Sequence, residues 1–142
     1  MKKIYLLLIF ACFAMGSVYS QTSENASITS VDPRIQEVFA DQLQTLVLNV
    51  PNRLNDLTDI LNNRVKIEDK KIEKDEKFVK LSTVEIFNNY NPNLKRDMSI
   101  DENSFNPLKY NLRFHAKYTL IYRIDNTDKI IVIYPQSTFK NN

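Results

Sequence analysis

His115 is the only histidine in the chain. A histidine acting as general base needs a carboxylate to orient it and a nucleophile within hydrogen-bond reach. Ser82, Ser99, Ser104 and Ser137 supply hydroxyls, but none stands in a diagnostic setting. One histidine does not make a multi-histidine metal site. His115 lies between Phe114 and Ala116 at an expected strand start, so the plainer reading is a surface or partly buried sheet histidine.

Carboxylates are the next candidates. Asp97, Asp101 and Glu102 cluster beside Lys95 and Arg96, and paired carboxylates can hydrolyse glycosides. That chemistry needs a sugar-lined cleft, and the chain has no tryptophan to act as a platform. A carboxylate-dependent hydrolase built on the loop 88–107 is therefore the alternative function, set against a solvated charged loop. Asp125, Asn126 and Asp128 present the oxygens that Ca²⁺ takes, yet three ligands at a hairpin tip do not close a site. Turn hydrogen bonding accounts for them. No catalytic residue, metal ligand or cofactor is assigned.

The third pattern is basic and aromatic. Tyr110, Tyr118, Tyr122 and Tyr134 interleave with Lys109, Arg113, Lys117 and Arg123, and from Phe105 onward six basic residues face two acidic ones. Interleaving of this kind can bind single strands of nucleic acid or an acidic partner. Aromatic and β-branched residues also populate any antiparallel sheet. The surface predicted to meet a partner is Tyr90, Lys95, Arg96, Tyr118, Tyr122 and Arg123, from the sheet and the long loop.

Composition narrows the chemistry further. Lys2 and Lys3, the uncharged run Ile4 to Met15, and Gly16 to Ser20 have the three-part build of a secretory signal, with cleavage expected after Ser20. The run is 12 residues, short of the roughly 20 that span a bilayer. Cys12 follows Phe10-Ala11, a poor match to a lipid-anchoring site. The precursor has 19 basic and 17 acidic residues, and residues 1–20 hold two of the lysines and no acid. The remaining chain is neutral, which removes the general electrostatic case for nucleic acid or an anionic membrane. Cys12 and Gly16 are also the only cysteine and glycine. Residues 21–142 thus have no thiolate and no disulfide, and no glycine for a P-loop, a dinucleotide turn or a nucleophile elbow. Asparagine is the next residue that tolerates positive φ, and 16 of them follow residue 20.

The elements that must position these residues can be read from spacing. Residues 21–31 are a polar lead-in, and 32–142 form one domain by length. Asp32-Pro33 reads as N-cap and first helical residue. Ile35, Phe39, Leu43, Leu46, Val47 and Val50 then form one apolar helical stripe. Pro51 breaks or kinks the pattern, which resumes at Leu54, Leu57, Ile60 and Leu61; segments 32–50 and 52–62 are one helix or two. From Arg64 the period becomes two. Val65 and Ile67 are expected to pair with Phe78 to Ile86 through a turn in Glu73 to Glu76, giving a Lys-rich edge hairpin. Asn88 to Pro107 is a long loop, pinned in places by Tyr90, Leu94, Met98, Ile100 and Phe105. Tyr110 to Phe114 is expected to add a strand. Tyr118 to Ile124 and Lys129 to Tyr134 then form a hairpin, whose return strand is apolar on both faces and so central. A two-residue loop would oppose Asp125 to Asp128, so a four-residue loop is expected. The fold class is α+β: one or two N-terminal helices on an antiparallel sheet of four to five strands.

The strings FNPLKY (Phe105 to Tyr110), YRIDNTD (Tyr122 to Asp128) and IIVIYPQ (Ile130 to Gln136) resemble a set of small exported proteins of unknown function from Bacteroidota. The likeness covers roughly residues 81–136. It implies export and one C-terminal hairpin unit, and it carries no activity. The expectation is an exported, non-enzymatic domain of the periplasm or exterior that binds another protein or an envelope component.

Overall fold

The structure is a computed structural model that describes residues 30–73 and 76–136. The signal segment, the expected cleavage site and residues 21–29 of the lead-in lie outside those residues; Val31, counted with the lead-in, is buried in the core. Among the described residues no helix is long and apolar enough to cross a membrane.

Helix α1 (Pro33–Phe39) starts where the sequence places it. Arg34 N donates to Asp32 Oδ1 at 2.8 Å, satisfying one of the orphan donors of a first turn. Ile35, Phe39, Leu43 and Val47 are all buried, although the helix does not stay α throughout. Ala40 sits at φ 43°, ψ −125°, and the chain continues as a 3₁₀ turn (Ala40–Gln42) and a widened π turn (Gln44–Leu48). Asn52 follows Pro51 at φ 63°. The break there is complete, and α2 (Arg53–Asp59) is a second helix. Val50, beside the break, is the one member of the expected stripe left exposed.

A π turn, Ile60–Arg64, feeds directly into β1 (Val65–Asp69). The buried Arg64 fastens this junction, donating from Nε to Tyr134 O at 3.1 Å and from Nη2 to Phe114 O.

The sheet has the order β1-β4-β3-β2, with β2 at Val79–Lys80, β3 at Leu120–Arg123 and β4 at Lys129–Ile133. β3 and β4 form the expected antiparallel hairpin. Its loop is the four residues Asp125 to Asp128, since Ile124 N donates to Lys129 O at 3.1 Å, and Asn126 supplies the left-handed residue at φ 58°. β4 is central, and Ile130 to Ile133 are buried on both of its faces.

Two expected pairings do not form. Val65 to Asp69 pairs with β4 and not with the segment 78–86. Glu76 N does donate to Glu73 O, but the segments on either side separate. Val79 and Lys80 pair with β3 in parallel, so the sheet is mixed and mostly antiparallel. β4 is apolar on both faces, the pattern of an interior strand, and β1 takes the side that β3 leaves open. Tyr110 to Phe114 stays outside the sheet. Tyr110 makes one bridge to Ile86, after which Leu112 N and Phe114 N bond back to the carbonyls two residues earlier, the signature of γ-turns.

The core has two apolar clusters. One gathers the helical stripe with Leu94 and Leu108. The other gathers Leu120, Tyr122, Ile131 and Ile133 of the sheet with Phe105 and Tyr110. Val65 and Phe114 pack against both. The long loop is pinned by Leu94, Phe105 and Tyr90, the last stacked on Phe39 with centroids 5.3 Å apart. Met98 is fully exposed and pins nothing.

Candidate binding groove at the open sheet edge

β1 is a terminal strand, and its hydrogen bonds alternate. Arg64 O accepts from Tyr134 N and Lys70 N donates to Asp128 O, so the even-numbered residues face β4. Antiparallel alternation then turns the backbone groups of Val65, Ile67 and Asp69 away from the sheet. Val65 N–H bonds to Ile60 O. The Val65 carbonyl and both polar groups of Ile67 and Asp69 form an open edge, which no described strand pairs. The opposite edge, β2, is only two residues long.

Beside this edge runs an open groove of about 400 Å³. Its lining is more polar than apolar: Arg34, Asn62, Lys66, Glu102 and Asn103 stand beside Leu61, Val65, Ile67, Phe105 and Pro107. One wall is therefore the far end of the long loop, held by two polar clusters. In the first, Asp101 accepts from Ser99 and Ser104 hydroxyls and from the N–H groups of Asn103 and Ser104. The Ser104 hydroxyl, with those N–H groups and Ser99, lowers its carboxyl to about 2.

The second cluster ties the loop to α1. Asn106, 2% exposed, donates from Nδ2 to Arg34 O and to Glu37 Oε2 at 2.9 and 3.0 Å. Lys109 Nζ lies 2.6 Å from Asp97 and 2.7 Å from Glu37. Burial pulls the Lys109 ammonium down, but the hydrogen bonds and charges of Asp97 and Glu37 outweigh it and leave the group raised. Burial, then the Asp97 charge, pushes the Tyr110 phenol up.

The carboxylates of the hydrolase alternative are thus separately engaged. Asp97 is neutralised by Lys109, and Asp101 is committed to its own turn in a form far too acidic to donate a proton near neutrality. Glu102 is exposed at the groove. His115 is exposed and lines a second, mainly apolar cleft of about 240 Å³ with Arg53 and Asp56. Among the described residues no hydrogen bond joins it to a carboxylate. Asp125 accepts from Ser82 N and Oγ at 3.0 and 2.8 Å, tying the hairpin tip to the 3₁₀ turn Leu81–Thr83. No group of three potential metal ligands occurs among the described residues.

The six residues predicted as a partner surface are not brought together. Tyr122 is 6% exposed and belongs to the sheet core. Arg123, the next residue along the strand, points to the opposite face, and its buried Nε makes no hydrogen bond among the described residues. Tyr90 is half-buried on Phe39. Arg96 donates to the carbonyls of Leu81 and Val84 and stands over the Tyr110 ring. Lys95 and Tyr118 are exposed. The groove residues Val65, Lys66 and Ile67 were not among the six, because nothing in their types shows which strand lies beside β1 or which of its sides stays open.

Fold and groove together define an α+β domain with an open-edged, mostly antiparallel sheet. Compared with family models, curated proteins and solved structures, the chain matches none.

Proposed function

We propose that this chain is an exported, non-enzymatic binding domain, and that it takes an extended segment of a partner polypeptide along β1. One observation carries the reading: a five-residue edge strand with outward backbone donors and acceptors, beside an open groove of mixed, mainly polar lining. Strand addition draws affinity from such an edge and specificity from pockets for alternate side chains. The long loop contributes the second wall, so the sheet and the loop act as one surface. Export rests on residues 1–20, and the partner would be a protein of the envelope or exterior.

The test is affinity capture from an envelope fraction with residues 21–142 as bait, run beside the variant Ile67→Pro. The Ile67 N–H points outward, so proline there removes an edge donor without cutting the β1–β4 ladder. A partner held by the wild type and lost by the variant supports the reading. Recovery of no partner, or of one indifferent to Ile67→Pro, overturns it. Intact mass of the exported protein, starting at Gln21, tests the export.

A further inference from the structure

We infer that the partner strand at this edge is β1 of a second copy of the chain. The inference rests on the reading of β1 as the binding element. Its argument is the order of charges along the strand, Val65-Lys66-Ile67-Glu68-Asp69.

Charges on an edge strand ordinarily discourage pairing. Here Lys66 and Glu68 flank Ile67 with opposite signs. An antiparallel copy related by a two-fold axis through Ile67 sets Lys66 against Glu68 of the second chain, and Glu68 against its Lys66. Neighbouring registers that keep the two faces of the sheet aligned centre on Lys66 or on Glu68, and each opposes a residue to its own like charge. Registers shifted by a single residue set the charged face of one copy against the Val65/Ile67 face of the other. Charge and face pattern together select one alignment.

The backbone agrees with it. Ile67 is an outward-facing residue, so the two copies of Ile67 exchange both of their hydrogen bonds at the axis. Asp69 N–H then meets the free Val65 carbonyl of the other chain. The Val65 N–H, already bonded to Ile60 O, marks where the pairing stops. Lys66 and Glu68 are both exposed and lie on the face opposite the Val65/Ile67 side, which leaves them free to meet across the junction. Lys66 Nζ donates to Asn62 O, and Glu68 accepts from the Tyr134 hydroxyl; each keeps capacity for a further partner.

Paired single charge reversals test this directly. Lys66→Glu sets glutamates against glutamates, and Glu68→Lys sets lysines against lysines, so each alone should self-associate at least ~10-fold more weakly than wild type. Mixed together, the two variants are complementary at both contacts and should associate with each other. Sedimentation velocity over a concentration series, with one variant fluorescently labelled, reads all three states. Recovery in the mixture shows that both variants are folded.

A wild-type chain that stays monomeric up to ~1 mM, weaker than even a small specific interface, overturns the inference. So does a dimer indifferent to the reversals, or a mixture that does not associate. The two readings fail differently. A monomer that still captures an Ile67-dependent partner refutes self-pairing and leaves strand addition standing. A charge-dependent dimer with no other captured protein supports self-pairing and overturns the reading that a different protein occupies the edge.

Discussion

Lys109 Nζ lies 2.6 Å from Oδ1 of Asp97, with side chains only 9% and 8% exposed. The pair joins the middle of the long loop to the short 3₁₀ turn Pro107–Lys109, and Glu37 completes it from α1. Three segments distant in sequence thus meet at one ammonium. Breaking a buried pair from one side leaves an uncompensated charge, which costs about 3–5 kcal/mol. Lys109→Met is therefore expected to destabilise by that amount in urea denaturation. Lys109→Met with Asp97→Leu should cost less than Lys109→Met alone. A loss below ~1 kcal/mol for the single variant would show that the pair does not hold the loop.

Alkaline stability follows from the same cluster. Lys109 is raised from 10.5 and Tyr110 from 10.0. The Lys109 contribution is fully present below its unfolded value and is lost as pH rises through the folded one. Tyr110 acts in the same direction, because above pH 10 the unfolded phenol ionises first. Thermal melts of wild type should decline above pH ~10, and Tyr110→Phe should flatten part of the decline.

Asp101 governs the acid side. Its carboxyl moves from 3.8 to about 2, so its contribution is present above the unfolded value and is lost as pH falls through the folded one. Wild type should be more stable than Asp101→Asn at pH 7, with the difference shrinking between pH 3.8 and about 2. Direct titration of the Asp101 carboxyl by NMR gives an independent check, and an ordinary value near 3.8 would refute the turn's role.

Positive φ without glycine has a measurable cost. Ala40 at φ 43° and ψ −125° occupies a region that glycine tolerates far better. Ala40→Gly is expected to raise stability by about 1 kcal/mol, and Asn126→Ala to lower it by a similar amount. Equal midpoints for Ala40→Gly and wild type would mean that the strain is absent.

Proline scanning of β1 tests its orientation. Ile67→Pro should cost no more than Ile67→Ala, about 1–2 kcal/mol for a half-buried isoleucine. Lys66→Pro should cost about 3 kcal/mol or more, because the Lys66 N–H faces β4. The opposite ranking would reverse the edge and remove the groove's backbone donors.

What the amino-acid sequence determined by itself is local. Asp32-Pro33 specifies a helix start because a cap and a fixed φ act within a few residues. The Asp125 to Asp128 loop and the burial of Ile130 to Ile133 follow from like-charge avoidance and from apolar residues on both faces. The need for asparagine in place of glycine was legible too: among the described residues Asn52 and Asn126 carry positive φ, beside Ala40. Tertiary structure decided which strands are neighbours. Alternation tells which way a side chain points and not which strand lies across the ladder, so β1 was expected to pair with the segment next in sequence and instead pairs with β4, 60 to 68 residues away. The open edge depends on that choice, since an edge is defined by the pairing a strand lacks. Tyr122 shows the same limit: its type suits a surface, and packing placed it in the core.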